Sequence, residues 1–366
     1  MIDKAKISGA QFLFTVACYL QSTTLITSFF INISLHDSLF VILTGAILIL
    51  PILFMYFYII KWFPGKNLIQ VNDLVFGKIP GKLISCFYLF FFFTLSSLTL
   101  GDLGRFVNNT FMIKTPVSVL IIVFIILCVW AVRNGLNVVT RYNIFFSILI
   151  TAGIILDDIL ASSLSNMQNF IPIFEISLNK YIHAAHIITA IPFGDVIVFL
   201  MIIPNVKLDH KKTKKYFLIG FFIGVVSLLL VVFREVAVFG DSISLFTFAS
   251  YESIKLIKLG AAFTRLEILS ALILVILSFS KTVLLFYVTV IAFAQIFNLK
   301  SFKAYVLSIG LLITIYSLNI YSSATKHGFA ASNIHPFFWT FMNIILPFLT
   351  LLIILLRKLN KRSTSK

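Results

Sequence analysis

Ten apolar runs, each about 17 to 36 residues long, leave this chain one kind of fold. They lie at roughly 7–33, 37–60, 83–112, 116–132, 135–157, 183–203, 215–238, 262–297, 303–321 and 337–356. Runs near 20 residues match the thickness of a bilayer when helical. Membrane barrels would instead show short alternating segments. With 60% hydrophobic and only 11% charged residues, no polar surface is available for a soluble fold. The expectation is an all-α integral membrane protein of ten transmembrane helices, forming a single domain over residues 1–366.

The net charge of +16 does not indicate nucleic-acid binding, because the charge is sorted by side. With the N-terminus inside, 20 of the 29 Lys and Arg fall in the inside loops and the C-terminal tail. They include Lys4, Lys6, the run Lys207 to Lys215, and Arg357 to Lys366. This follows the positive-inside rule and puts both termini in the cytoplasm. The basic run and tail suit contact with anionic membrane lipid. The first span is too long for a signal-peptide core and lacks a cleavage pattern, so it is expected to remain in place. Cys18, Cys86 and Cys128 all lie in apolar runs without metal spacing and imply packing rather than disulfides.

Five spans per half, an odd number, make the second half inverted relative to the first, as repeats of about 7–158 and 183–356. Two spans at corresponding places carry polar or helix-breaking residues at mid-depth. Span one holds Gln21, Ser22, Thr23 and Thr24; span six holds Pro192, Phe193, Gly194 and Asp195. Paired interruptions in inverted halves point to a solute site near the midplane. A helix break in hydrocarbon has to be buried or line a cavity. The competing readings are a proline kink repaired by neighbours at 192–195 and hydroxyls bonding back within the helix at 21–24.

Lys281 sits mid-span between Ser278, Ser280 and Thr282. An intramembrane lysine faces the bundle interior and marks a pathway or a structural cation; both roles stay open. Asp102 and Arg105 are three apart on span three and can pair on one helix face. Arg234 with Glu235, and Arg265 with Glu267, are expected at the outer interface, snorkelling or paired among themselves. Thr115-Pro116 reads as an N-cap and first helical residue. Glycines at 65, 77 and 81 bound a short interfacial helix, and segment 239–261 is expected along the outer surface. His183 and His186 share a face but have no convergent carboxylate. No nucleotide-binding, hydrolase or metalloprotease motif is present, so no catalytic residue, metal or cofactor is expected.

An ordered set of signatures resembles a known family. It runs Ile7-Ser8-x-x-Gln11, Phe63-Pro64, Phe76-Gly77-Lys78, Gly81-Lys82, Lys114-Thr115-Pro116, Arg133-Asn134-Gly135-Leu136 to Arg141, Pro192-Phe193-Gly194-Asp195, Arg265-Leu266-Glu267 and Ser280-Lys281. The set is similar to the B subunits of bacterial spore germinant receptors, the endospore germination permeases of the amino acid–polyamine–organocation transporter superfamily. The resemblance implies a LeuT-like, five-plus-five inverted-repeat fold with spans one and six unwound around a ligand. It also implies the spore inner membrane, an A subunit and a lipoprotein C subunit as partners, and a small nutrient, commonly an amino acid, as germinant. Ligand-binding positions would be Gln21 to Thr24 and Pro192 to Asp195, with Lys281, Ser278, Thr282 and Asp102 on a gating or ion pathway. The family's span-one glycines are replaced here by Gln21-Ser22-Thr23-Thr24, whose side chains narrow the pocket. An ion-coupled amino acid transporter and a purely structural subunit are the rival readings.

Overall fold

The computed structural model describes residues 5–257, 267–321 and 324–363, the side chains of 324, 325 and 358–363 excepted. Lys4, Arg265, Leu266, the end of segment 239–261 and Lys366, with the side chains of Lys358, Lys361 and Arg362, lie outside the described residues.

The described chain is helical, with one isolated backbone bridge pairing Ile7 and Val206. Fifteen α-helices follow in order: α1 Gly9–Gln21, α2 Ser28–Ser34, α3 Ser38–Trp62, α4 Leu68–Phe76, α5 Lys78–Thr110, α6 Val117–Arg133, α7 Leu136–Ala161, α8 Leu178–Ile188, α9 His210–Phe239, α10 Ala249–Lys255, α11 Glu267–Ile296, α12 Val306–Asn319, α13 Ala324–Asn333, α14 His335–Thr340 and α15 Leu346–Ser363. Among the described residues, seven helical stretches are long and apolar enough to cross a bilayer. α6 and α12 are shorter apolar helices.

Local chemistry sets several boundaries. Ser8 and Gln11 form a reciprocal capping box at the start of α1, with Gln11 N to Ser8 Oγ at 3.2 Å and Ser8 N to Gln11 Oε1 at 2.7 Å. Asn67 and Gln70 do the same for α4. Gly65 (φ +73°) and Gly77 (φ +90°) turn the chain into and out of α4, the short helix expected between 61 and 82. Pro116 is itself the N-cap of α6, one residue later than its sequence reading: its extended ψ of 135° delays helical dihedrals until Val117.

At the centre of the bundle, α1 packs on α9 and α7, and α11 packs on α5, α6 and α7. The outer helices turn apolar faces outward: Ile122 and Ile126 on α6, and Leu311 and Ile315 on α12, are exposed at helical spacing. In lipid such faces need no cover. α1 and α9 approach through small residues four apart. A Cβ at Gly220 would lie 2.4 Å from the Leu13 carbonyl oxygen, and one at Gly224 would lie 2.4 Å from Leu20 Cβ. Backbone cannot yield as a flexible side chain does, so Gly220→Ala is expected to cost about 1–3 kcal/mol through overpacking. The thermal unfolding midpoint of the purified chain checks this; no shift would mean that α1 and α9 separate freely.

Three sequence expectations change. Cys86 is exposed on the outside of α5, so only Cys18 and Cys128 are packed inside. Arg234 and Glu235 are buried, 2% and 0% exposed, rather than snorkelling. α9 continues to Phe239, which places both a full turn inside the helix end. Arg234 pairs with Asp158 at 2.6 Å and donates to Ser250 and Ser253 on α10. α10 is therefore tucked into the bundle, not laid along its surface.

Candidate functional site

At the end of α1 the helix tightens. Ser22 Oγ donates to the Tyr19 carbonyl (2.6 Å) and Thr24 Oγ1 to the Gln21 carbonyl (2.7 Å). Residues Ser22–Leu25 form a 3-10 turn that leads to α2. The hydroxyls do bond back locally, and the turn opens away from α-geometry all the same. Gln21 faces away from the opening. Its amide nitrogen donates to Thr151 Oγ1 (2.8 Å) and Ser227 Oγ (3.0 Å), and its oxygen accepts from Ser147 Oγ (3.0 Å). That side chain ties α1 to α7 and α9.

Beyond α8 the chain passes through a π turn, Thr189–Phe193, holding Pro192, and then a 3-10 stretch, Gly194–Met201. Asn343 Nδ2 donates to the Ala190 carbonyl at 2.9 Å, giving a backbone oxygen in the irregular segment a partner. A Cβ at Gly194 would stand 2.6 Å from that same amide nitrogen, so glycine lets the final helix come close. Tyr56 Oη donates to the Asn343 carbonyl, and Tyr88 Oη donates to the Met342 carbonyl at 2.9 Å. These bonds hold a second π turn at Phe341–Ile345.

Between the two irregular segments lies a cavity of about 170 Å³. Ser22, Thr23, Pro192 and Asp195 face it from the segments themselves. Asp102 reaches it from α5, Ser278 and Lys281 from α11, and His335 and Trp339 from α14. Thr23 Oγ1 and Ser278 Oγ are buried beside it without a hydrogen-bond partner among the described residues. The Trp339 indole and the Asn343 amide stand beside the Asp195 carboxylate. Buried polar groups are nearly always paired, and an unpaired one costs roughly 1–3 kcal/mol. Unpaired hydroxyls and a buried carboxyl group thus gather at the walls of one cavity.

Lys281 is half-buried. Its Nζ lies 4.7 Å from the centre of the Tyr19 ring, a cation–π contact between α11 and α1. Tyr19 Oη in turn donates to the Asp195 backbone carbonyl at 3.5 Å. Asp195 and Asp102 act on the ammonium through space. Asp102 is held by Arg105 at 2.7 Å and by His327 Nδ1 at 3.3 Å. His327 and Gly328 of α13 line the cavity. α13 is moored to span one as well, through Ser332 Oγ donating to the Phe29 carbonyl at 2.8 Å. Tyr321 stacks on His327 (centroids 4.9 Å) and its hydroxyl meets His335 Nε2 at 2.5 Å. His335 stacks on Trp339 at 4.6 Å. The result is an aromatic and imidazole cover over the cavity.

Of the residues singled out from sequence, Ser22, Thr23, Pro192, Asp195, Ser278, Lys281 and Asp102 share the cavity. Gln21, Thr24, Phe193, Gly194 and Thr282 are not on its wall. Thr24 is bonded to Gln21, Phe193 packs on Phe221 at 5.4 Å, and Thr282 Oγ1 donates to the Ser278 carbonyl. His186 meets Thr340 Oγ1 at 2.7 Å. Tyr19, His327, His335, Trp339 and Asn343 were not foreseen. The one sequence cue was His335 and Trp339 four apart where the last span begins.

The fold is shared with several solved structures. The fold matches MHP1, a nucleobase-cation-symport-1 family transporter solved closed with bromovinylhydantoin bound (TM-score 0.61, 14% identity, covering 93% of this chain and 75% of that one). It matches a Na+-coupled sialic acid symporter in a substrate-bound outward-open state (0.65, 12%, 93% and 80%). It also matches MhsT in complex with L-phenylalanine (0.52, 15%, 94% and 98%). In sequence, the chain is 27% identical to spore germination protein KB of Bacillus subtilis (strain 168), over 100% of this chain and 98% of that protein. It is 24% identical to the putative spore germination protein YfkT of the same strain, over 62% of each. The model of the family described as "Spore germination protein" matches residues 6–326. This multi-pass helical membrane protein therefore belongs to the spore germination protein family.

Proposed function

We propose that the chain is the membrane subunit of a spore nutrient-germinant receptor. A small nutrient, an amino acid in the leading reading, binds in the cavity between the interruptions of spans one and six. The observation that carries this reading is the convergence of unpartnered buried polar atoms on that cavity. In the proposed topology, ten spans form a five-plus-five inverted repeat with both termini in the cytoplasm. The membrane is the spore inner membrane, and an A subunit and a lipoprotein C subunit are the partners. Binding shifts the bundle between two conformations for which the nutrient has different affinity.

In this reading Asp195 contacts the ligand, Ser22, Thr23 and Ser278 supply hydroxyls, and Lys281 links α11 to α1. The cation–π contact of Lys281 on Tyr19 supports that last role. Arginine retains charge and can stack on the ring; alanine loses both. Lys281→Ala is therefore expected to abolish the nutrient response and Lys281→Arg to preserve part of it, measured as germination rate at saturating nutrient. Equal responses from the two variants would remove Lys281 from the pathway.

The alternative is an ion-coupled amino acid transporter, a reading compatible with the same fold. Spores lacking the chain, challenged with a panel of amino acids and nucleosides, separate the two readings when uptake is assayed in growing cells. Loss of germination to one nutrient with normal uptake supports the receptor. Lost uptake with normal germination makes the chain a permease.

A further inference from the structure

Glu235 takes no part in the cavity described above. It is fully buried on α9. Its Oε2 accepts a hydrogen bond from Thr27 Oγ1 at 2.7 Å, and its Oε1 has no partner among the described residues. The adjacent guanidinium does not pair with it, because Arg234 turns to Asp158, Ser250 and Ser253. A carboxylate sealed from water without a cation is expensive to keep ionised. A hard metal cation would want a shell of about six oxygens, and one carboxylate with one hydroxyl does not supply it. Among the described residues, no group of three His, Cys, Asp or Glu is placed to hold a metal. A proton needs a single oxygen.

The one hydrogen-bond partner of Glu235 among the described residues is also telling. Thr27 joins the 3-10 turn to α2, and its carbonyl accepts from Phe30 N and Ile31 N to start that helix. Leu25, Ile26, Ser28 and Phe29, on either side of it, form one wall of the cavity. Glu235 thus sits behind that wall, tied to its hinge.

We propose that Glu235 is a proton-binding site, filled while the Leu25–Phe29 wall lies over it and emptied when the wall moves off and admits water. The proton and the open wall exclude one another. By linkage, the factor by which opening the wall weakens proton binding is the factor by which the bound proton disfavours the open wall. This goes beyond the nutrient reading and does not depend on it.

Other titratable groups lie on the surrounding elements, and among them Asp37 also keeps one buried oxygen, Oδ2, without a partner among the described residues. On α7, Asp157 accepts from Ser270 Oγ and Asp158 pairs with Arg234. On α10, Glu252 pairs with Lys255. In the turn before α3, Asp37 accepts from Phe174 N, while His36 stands 3.5 Å from Asp241 and 3.9 Å from Glu175. His36 and Asp37 are the neighbouring ionisable side chains whose replacement serves as the control.

The test uses the full chain in lipid nanodiscs, carrying Ser28→Cys as reporter and Cys86→Ser to remove the exposed native thiol. The rate of labelling by a polar maleimide is measured from pH 5 to 9, with and without Glu235→Gln. The ratio of the two rates cancels the ionisation of the thiol itself. It is expected to stay near one at acid pH and to rise about fivefold or more as pH increases, because the glutamine cannot release a proton. Thr27→Val, which removes the one donor to the ionised carboxylate, is expected to move that rise to higher pH. A ratio near one at every pH overturns the proposal. So does loss of the rise in His36→Gln or Asp37→Asn. Should the glutamine variant fail to fold, the rate is referred to the same cysteine in the denatured chain, and a pH dependence unmoved by Thr27→Val overturns the proposal.

Discussion

Replacing Arg234 by alanine is expected to lower the stability of the chain by about 3–5 kcal/mol, the usual cost of removing one partner from a buried ion pair. The guanidinium is 2% exposed and binds Asp158 at 2.6 Å, Ser253 Oγ at 3.2 Å and Ser250 Oγ at 3.0 Å. It therefore fastens α9 to both α7 and α10. Its loss would leave the Asp158 carboxylate and two hydroxyls without their donor, and α10 would lose its polar attachment. The thermal unfolding midpoint of the detergent-purified chain, with the yield of monodisperse protein, measures this. Asp158→Asn, which keeps an acceptor oxygen in place, is expected to cost less. A midpoint unchanged by Arg234→Ala would mean that water fills the site at no penalty.

Asp195→Ala is the second large effect, and it is functional. The residue is 1% exposed, at the irregular segment of span six, on the wall of the cavity. A hydrogen bond involving a charged group is worth about 1.5–3 kcal/mol. Its loss is expected to raise the nutrient concentration needed for half-maximal germination by roughly 10- to 100-fold. Responses to unrelated germinants should be unaffected, and an immunoblot of spore membranes should show normal abundance. An unchanged dose–response removes Asp195 from the ligand site.

The membrane class was legible from the sequence because apolar thickness is a one-dimensional quantity. Runs of about 20 apolar residues carry it without knowledge of any contact. Candidate polar residues were legible too, because a polar group at mid-span is costly wherever it ends up. The direction each side chain takes was not. Gln21 and Ser22 are adjacent, yet a helix turns by about 100° per residue, and so one binds α7 and α9 while the other faces the cavity. Glu235 looked interfacial because it lies near the end of a span; the start of α2 and α10 fold over that end of α9 and cover it. His327 and His335 come from a polar connection more than two hundred residues beyond Asp102. Only the assembled bundle brings them over the same opening.

The backbone bridge between Ile7 and Val206 has a kinetic consequence. Ile7 N donates to the Asn205 carbonyl and Lys207 N to the Ile7 carbonyl, each at 2.9 Å. The chain just before span one is thereby stitched to the chain just after span six. Any excursion that spreads this end of the bundle must break both bonds before the interior can meet water there. The amide hydrogens of Ile7 and Lys207 should consequently trade for deuterium only during such excursions, and their exchange clock would time how often the closed end comes apart.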